Sequence, residues 1–156
     1  MKKTRLRLVI CGSFIALVLA VIWGNSCLPG ESSGRFSAWV GSILSTVFPF
    51  FSPESEVGHF ILRKIGHFSE FAALGFFLSW LYGMLVRGKW QMLAFPLISG
   101  MVAAGIDETI QIFTPGRHSS IVDVGIDSSG ALAGILFLHL CWLIFRKLHK
   151  NAKKVC

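Results

Sequence analysis

Four apolar runs, each close to the length of a membrane span, constrain this chain more than any other feature. They lie at about residues 8–24, 68–86, 92–113 and 126–145. A helix needs about 20 apolar residues to cross the hydrocarbon core of a bilayer. We therefore predict an all-α fold, a polytopic membrane bundle of four transmembrane helices that forms a single domain over residues 1–156.

Composition and charge distribution favour a membrane protein over one that binds nucleic acid. Hydrophobic residues make up 53% of the chain and charged residues only 15%, whereas soluble domains have about 25% charged residues. Segments 1–7, 87–89 and 146–154 hold 11 of the 15 basic residues and none of the 8 acidic ones. Because basic residues stay on the cytoplasmic side of a membrane, this segregation predicts that both termini are cytoplasmic.

The first apolar run has an alternative interpretation as a cleaved signal peptide. A basic start, an apolar stretch and small residues near Asn25 and Ser26 have that arrangement. We favour a retained span, because cleavage would leave three spans and put the new N-terminus outside.

The segment 35–51 is apolar but is interrupted by glycine, serine and Pro49. Its apolar residues share one helical face, which predicts a short helix in the outer membrane interface. They are Phe36, Trp39, Val40, Ile43, Leu44 and Val47. A re-entrant loop is the alternative. The acids that follow predict a long helix from about Glu54 to Val86.

Polar residues at membrane depth mark the candidate functional site, because charged groups are costly there. At helical spacing, Asp107, Glu108 and Gln111 share one face of the third span. Asp123 and Asp127 share one face of the fourth span. Spaced small residues continue both faces and predict close helix packing. They are Gly100, Ala104, Gly130 and Gly134.

Between the third and fourth spans, Pro115 and Gly116 predict a turn. Ser119 or Ser120 is placed to cap the last helix, with Asp123 in its first turn. On the second span, Lys64 and His67 share a face. The predicted ligand-binding set comprises Lys64, His67, Glu70, Asp107, Glu108, Gln111, Arg117, Asp123 and Asp127.

These residue types allow a limited chemistry. Arg63, Lys64 and Arg117 offer donors for a phosphate or carboxylate. The candidate catalytic residues are His67, Glu70, Asp107 and Glu108, of which His67 and Glu70 could form an acid/base pair. The carboxylates could bind a divalent cation. No zinc-ligand spacing, phosphate loop or nucleophile elbow occurs, so we assign neither a metal nor a cofactor.

Each of these residues also has a structural interpretation. Asp107, Glu108, Arg117 and Asp123 could form a buried ion network that ties a loop to helix ends. His67 alone could be a packing histidine. Eight or more polar groups at one depth nonetheless favour a ligand or substrate role for the set as a whole.

Four sequence blocks carry a family resemblance. They are Lys64-x-x-His67-Phe68-x-Glu70-Phe71, Asp107-Glu108-x-x-Gln111-x-Phe113-x-Pro115-Gly116-Arg117, Ser120-x-x-Asp123-Val124 and Gly130-Ala131-x-x-Gly134. Their order over about residues 63–135 resembles the VanZ-like family of small bacterial membrane proteins, named for a member that lowers teicoplanin susceptibility. The resemblance implies a place in the bacterial cell envelope and a role in glycopeptide resistance. It implies no particular reaction, and residues 25–55 match none of these blocks.

Three functional hypotheses follow. In the first, the outer polar residues bind or act on an anionic ligand that is lipid-linked or related to the cell wall. The partners would be membrane lipids and a cell-wall precursor or glycopeptide, and no nucleic acid. In the second, the protein is an intramembrane hydrolase or transferase that uses His67 and carboxylates. In the third, it is a non-enzymatic membrane partner subunit. Whether it is an enzyme stays open.

Overall fold

A computed structural model describes residues 2–46, 48, 50 and 55–155 of the chain, without the side chains of residues 33, 36, 37, 56 and 151–155. The described residues form five α-helices and no strand. The helices are α1 (Lys2–Cys27), α2 (Gly30–Leu44), α3 (Glu56–Leu85), α4 (Lys89–Ile112) and α5 (Ile121–Val155). The predicted all-α fold is confirmed.

Four of these helices are long and apolar enough to cross a membrane, judged by length and composition within the described part of the chain. The apolar segments are Lys2–Cys27, Val57–Leu85, Lys89–Ile112 and Ile121–Lys150. Large apolar side chains such as Leu17, Val102 and Phe137 lie on the outside of the bundle, where lipid would cover them. Each long helix begins before the apolar run that was predicted for it, because more polar residues of the same helix precede that run.

The helices alternate in direction along the bundle. Antiparallel packing of α1 and α3 brings the Cys11 Sγ within 3.3 Å of the Phe77 carbonyl. The hydroxyls of Tyr82 and Ser99 lie 3.1 Å apart where α3 and α4 pack antiparallel. Helix α5 runs parallel to α3. The chain therefore starts and ends at one end of the bundle, and α1 and α4 end at the other.

Small residues bring α3 and α5 into close contact. A Cβ atom added at Gly75 would overlap the Ala131 backbone, and one added at Gly134 would overlap the Ala72 carbonyl. One added at Gly130 would overlap the Phe68 carbonyl. The small-residue face predicted for α5 is therefore confirmed. Beside it, apolar side chains from α1, α3 and α4 form the core: Ile22, Phe71, Leu74, Leu78, Ala103 and Ala104.

Helix α1 contributes to both the core and the polar end of the bundle. Ile22 and Ser26 are fully buried, and the Trp23 indole donates to the Ala103 carbonyl at 3.4 Å. These contacts make α1 part of the packed bundle.

The predicted interfacial helix corresponds to α2, which begins at Gly30 after Pro29 rather than at residue 35. Trp39 and Ile43 are exposed on it. Val47, Pro49, Phe51 and the side chain of Phe36, which belonged to the same prediction, lie outside the described residues, as does Glu54. Helix α3 begins at Glu56, and its N-cap Ser55 accepts a hydrogen bond from the Gly58 amide at 3.0 Å.

Candidate functional site

The predicted site residues lie together at the end of the bundle where α1 and α4 end and α5 begins. We call them the polar cluster. Helix α3 carries Lys64, His67 and Glu70, α4 carries Asp107, Glu108 and Gln111, the following loop carries Arg117, and α5 carries Asp123 and Asp127. Four of them are almost fully buried, namely Asp107, Glu108, Gln111 and Asp127.

His67 stands between two aspartates from different helices. Its Nδ1 lies 3.8 Å from the Asp107 Oδ2 and 3.8 Å from the Asp127 Oδ1. One potential ligand atom from each of the three residues lies within 4.8 Å of the others. We call this group the His–Asp–Asp triad. It joins α3, α4 and α5 at a single point.

His67 and Glu70 form no ion pair with each other among the described residues. Glu70 faces α1, where its Oε1 accepts a hydrogen bond from the Asn25 Nδ2 at 2.7 Å. Residues three apart on a helix are rotated by about 60° from each other. That rotation turns Glu70 toward α1 and leaves His67 facing α4 and α5.

Asp107 is the most deeply buried member of the triad, with 0% exposure. Its Oδ2 accepts a hydrogen bond from the Gln111 Nε2 at 2.8 Å, one helical turn further along α4. The same amide nitrogen lies 3.4 Å from the Ser26 Oγ on α1. These contacts of the Gln111 amide fix the orientation of the Asp107 carboxylate.

Several buried acceptors in the cluster have no hydrogen-bond donor among the described residues. They are the Oδ1 of Asp107, the Oε1 of Glu108 and the Oδ2 of Asp127. A buried polar atom without a partner costs about 1–3 kcal/mol, and native structures contain few of them. A water molecule, a carboxyl proton or a cation could satisfy these oxygens.

Lys64 forms an ion pair with Asp123, and each side chain keeps 18% exposure. The pair ties α3 to the first turn of α5. The Lys64 Nζ also lies 5.1 Å from the centre of the Phe60 ring. Lys64 is therefore already engaged by a carboxylate and an aromatic face.

Arg117 holds the loop after α4 against the connection between α1 and α2. Its Nη2 donates to the Asn25 carbonyl at 2.8 Å and its Nε to the Leu28 carbonyl at 3.3 Å. Burial, followed by the charge of Arg63, lowers the pKa of Arg117 from its ordinary value. The guanidinium stays protonated, since arginine does not lose its proton in proteins. Arg117 therefore ties the loop to the end of α1 through backbone carbonyls. The described residues include no ion pair between Arg117 and a carboxylate, so the ion network of the structural interpretation does not include it.

The predicted turn and helix cap are both confirmed. Gly116 has a φ of 72°, which favours glycine, and the Pro115 carbonyl accepts a hydrogen bond from the Gly30 amide at 3.1 Å. The Ser120 Oγ accepts from the Val122 amide at 3.2 Å and so caps α5. The Glu108 Oε2 accepts from the Ser120 amide at 2.8 Å, which ties the cap to α4.

The cluster carries an excess of negative charge. Its five carboxylates outnumber its three fixed cations, Arg63 included, which gives a formal charge of −2 with His67 counted as neutral. Three of the four buried charged residues are acidic, namely Asp107, Glu108 and Asp127, and the fourth is Arg117. On α3, the basic side chains of Arg63, Lys64 and His67 are partly exposed, as is the acid Glu70. The buried part of the cluster therefore carries more negative than positive charge, and an approaching anion could reach the basic side chains of α3.

Sequence reasoning missed the contribution of the end of α1. Asn25 binds Glu70, and the Ser26 carbonyl accepts a hydrogen bond from the Thr114 Oγ1 at 2.9 Å. The available signal was that Asn25 and Ser26 end an apolar helix at the level of the other polar groups. Because Asn25 and Ser26 also fit a signal-peptide cleavage site, their sequence pattern did not assign them to the polar cluster.

Comparison with known proteins identifies the family. The model of the VanZ/LLP1 family matches residues 10–152, and so extends through residues 25–55, where the sequence blocks gave no match. No significant match was found among curated proteins or among solved structures. Because the family model covers nearly the whole chain, this membrane protein belongs to the VanZ/LLP1 family.

Proposed function

We propose that the protein binds the anionic headgroup of a lipid-linked, cell-wall-related molecule at the polar cluster, in the outer leaflet of the bacterial cell membrane. The observation that carries the proposal is that basic side chains lie on the partly exposed α3 side of the cluster, while three of its acids are buried. Lys64 and His67 keep 18% and 15% exposure, while the Asp107 side chain on α4 has none. A headgroup approaching from the lipid would meet the α3 residues first.

Arg63 is the residue best suited to contact the headgroup. It is partly exposed, lies 6.0 Å from the Phe60 ring centre and forms no ion pair with the described residues. Its planar guanidinium can donate two parallel hydrogen bonds to a phosphate. Lys64 is held by Asp123 and would contribute mainly through its charge.

Membership in the VanZ/LLP1 family gives the proposal its biological setting. We propose that binding a lipid-linked cell-wall precursor changes its availability to glycopeptides, and that the protein thereby reduces susceptibility to teicoplanin. The basic segments 1–7 and 146–154 would then face the cytoplasm and the polar cluster would face outward.

The binding proposal is tested with a short-chain polyprenyl diphosphate and the protein purified in lipid nanodiscs. The polyprenyl alcohol of the same chain length is the ligand control. We expect the diphosphate to bind the protein more tightly than the alcohol, and Arg63→Gln to weaken diphosphate binding by about tenfold or more, because a hydrogen bond to a charged group contributes about 1.5–3 kcal/mol. The exposed His118, changed to Ala, is the matched variant and should bind as the wild type does. Equal affinity for alcohol and diphosphate would contradict the proposal.

A second candidate function is hydrolysis of such a ligand. It is favoured by one observation, the position of the His67 imidazole at 3.8 Å from each of two carboxylates, which suits a general base. His67 would take a proton from water, whose oxygen would add to the terminal phosphorus. The P–O–P bond would break, and inorganic phosphate and the polyprenyl monophosphate would be released. Phosphate release by the wild type but not by His67→Ala would support this function, and binding without any release would exclude it for this substrate.

A further inference from the structure

We propose that the His–Asp–Asp triad is a binding site for one divalent metal cation that accepts both nitrogen and oxygen ligands, such as Zn²⁺. His67 would supply a ring nitrogen, and Asp107 and Asp127 one carboxylate oxygen each. The three side chains come from α3, α4 and α5, so the cation would join three helices of the bundle.

The distances within the triad are close to those of a metal site. Ligand atoms at about 2.0–2.2 Å from a tetrahedral zinc ion are roughly 3.4 Å apart. The His67 Nδ1 is 3.8 Å from an oxygen of each aspartate, and the ligand atoms lie within 4.8 Å of one another. Small side-chain rotations would therefore bring all three into coordination.

Unpartnered buried oxygens provide an observation independent of these distances. Asp107 and Asp127 have 0% and 1% exposure, and one oxygen of each has no hydrogen-bond donor among the described residues. Two carboxylates facing one imidazole in a buried place repel each other unless a proton or a cation lies between them. The unpartnered atoms are the Asp107 Oδ1 and the Asp127 Oδ2, and the other oxygen of each carboxylate lies 3.8 Å from the His67 Nδ1. A cation coordinated by both carboxylates would balance their charge.

The charges around the triad also favour a dication. The polar cluster with Arg63 has a formal charge of −2, which one divalent cation would neutralise. Neighbouring cations do not serve in its place. Lys64 pairs with Asp123, and Arg117 donates to two backbone carbonyls.

The ligand types indicate which cation would bind. Imidazole suits Zn²⁺ and other transition metals, whereas Mg²⁺ and Ca²⁺ prefer oxygen ligands alone. The hydrogen bond from Gln111 to the Asp107 Oδ2, at 2.8 Å, is the kind of outer contact that orients a ligating carboxylate. Three protein ligands leave a fourth position for water or for an oxygen of a bound molecule.

Zn²⁺ binding at the triad does not require the lipid-linked ligand, so the two proposals can fail separately. The full-length protein in nanodiscs, stripped with a chelator, would be dialysed against Zn²⁺, and bound metal would be measured by mass spectrometry. We expect one Zn²⁺ per chain, not displaced by a large excess of Mg²⁺. We expect His67→Ala and Asp127→Asn to weaken Zn²⁺ binding by tenfold or more.

Glu70→Gln is the matched control for Asp127→Asn. Each removes one negative charge from the polar cluster, but Glu70→Gln removes no proposed zinc ligand. It should keep its Zn²⁺ affinity within about threefold of the wild type, a shift of well under 1 kcal/mol. If the triad variants fail to fold, X-ray absorption on the wild type decides, with one nitrogen and two carboxylate oxygens expected around zinc. Failure of the wild type to retain zinc, equal loss of affinity in Glu70→Gln, or a zinc environment without imidazole would overturn the metal site.

Discussion

Individual residues of the polar cluster differ in whether their hydrogen-bonding atoms already have partners. Arg117 donates to two backbone carbonyls, and Glu108 accepts from the Ser120 amide that begins α5. These two residues join chain segments. The carboxylates of Asp107 and Asp127 each place one oxygen 3.8 Å from the His67 Nδ1, and the other oxygen of each has no donor among the described residues. This is where a bound group can still be accommodated.

Replacing Arg117 by alanine should destabilise the protein rather than remove a ligand contact. Two charge-assisted hydrogen bonds to carbonyls would be lost, which predicts a loss of about 3–6 kcal/mol in the free energy of unfolding. Unfolding of the purified protein in a mild detergent, followed with temperature or denaturant, would measure it. His118→Ala, at the exposed neighbouring position, should leave stability unchanged. Unaltered stability of Arg117→Ala together with lost diphosphate binding would instead place Arg117 in the ligand site.

At the level of helices, the contact between α3 and α5 determines the geometry of the cluster. The close approach at Gly75, Gly130 and Gly134 fixes the rotation of α5 about its own axis and its position along the axis of α3. That register sets where Asp127 lies relative to His67. Small residues allow such close approach in membranes, where apolar burial adds little to helix association.

Gly134→Ala should destabilise this contact, because the added methyl group would overlap the Ala72 carbonyl and backbone atoms cannot move aside easily. We expect a loss of roughly 1–3 kcal/mol, as for other overpacked sites. Gly125→Ala lies in the same helix with open space around its Cβ, and should be neutral or stabilising by up to about 1 kcal/mol. Both can be measured by thermal unfolding in detergent. Equal stability of the two variants would contradict close packing of α3 and α5.

Much of the helical architecture was predictable because it depends on local sequence. Apolar length predicts the four long helices, and small-residue spacing predicts the face on which α5 packs. The partners of His67 were not predictable, since they depend on the rotation of three helices about their axes. The bond from Asn25 to Glu70 depends on the same tertiary packing, across 45 residues of sequence.

For the molecule as a whole, the start of α1 and the end of α5 lie at the end of the bundle away from the polar cluster. The segregation of basic residues predicts that this end is cytoplasmic. Large apolar side chains cover the outer surface of the long helices, which fits a bundle surrounded by lipid. The proposed ligand would then reach the cluster from the outer leaflet.

Cysteine labelling in intact cells would test this orientation. In a variant without the native cysteines, Ser119→Cys in the loop after α4 should react with a membrane-impermeant maleimide added outside. Lys89→Cys, at the start of α4, should react only after the membrane is permeabilised. The reverse pattern would place the polar cluster on the cytoplasmic side and would remove the outer-leaflet ligand from the proposed function.

The role of the His–Asp–Asp triad in the cell can be measured as teicoplanin susceptibility at matched membrane abundance of the protein. Cells that produce the wild-type protein or His118→Ala should be less susceptible than cells that lack it. Cells that produce His67→Ala should be as susceptible as cells that lack the protein, although the variant is folded and present. Full protection by His67→Ala, or no protection by the wild type, would contradict a functional role for the triad in glycopeptide resistance.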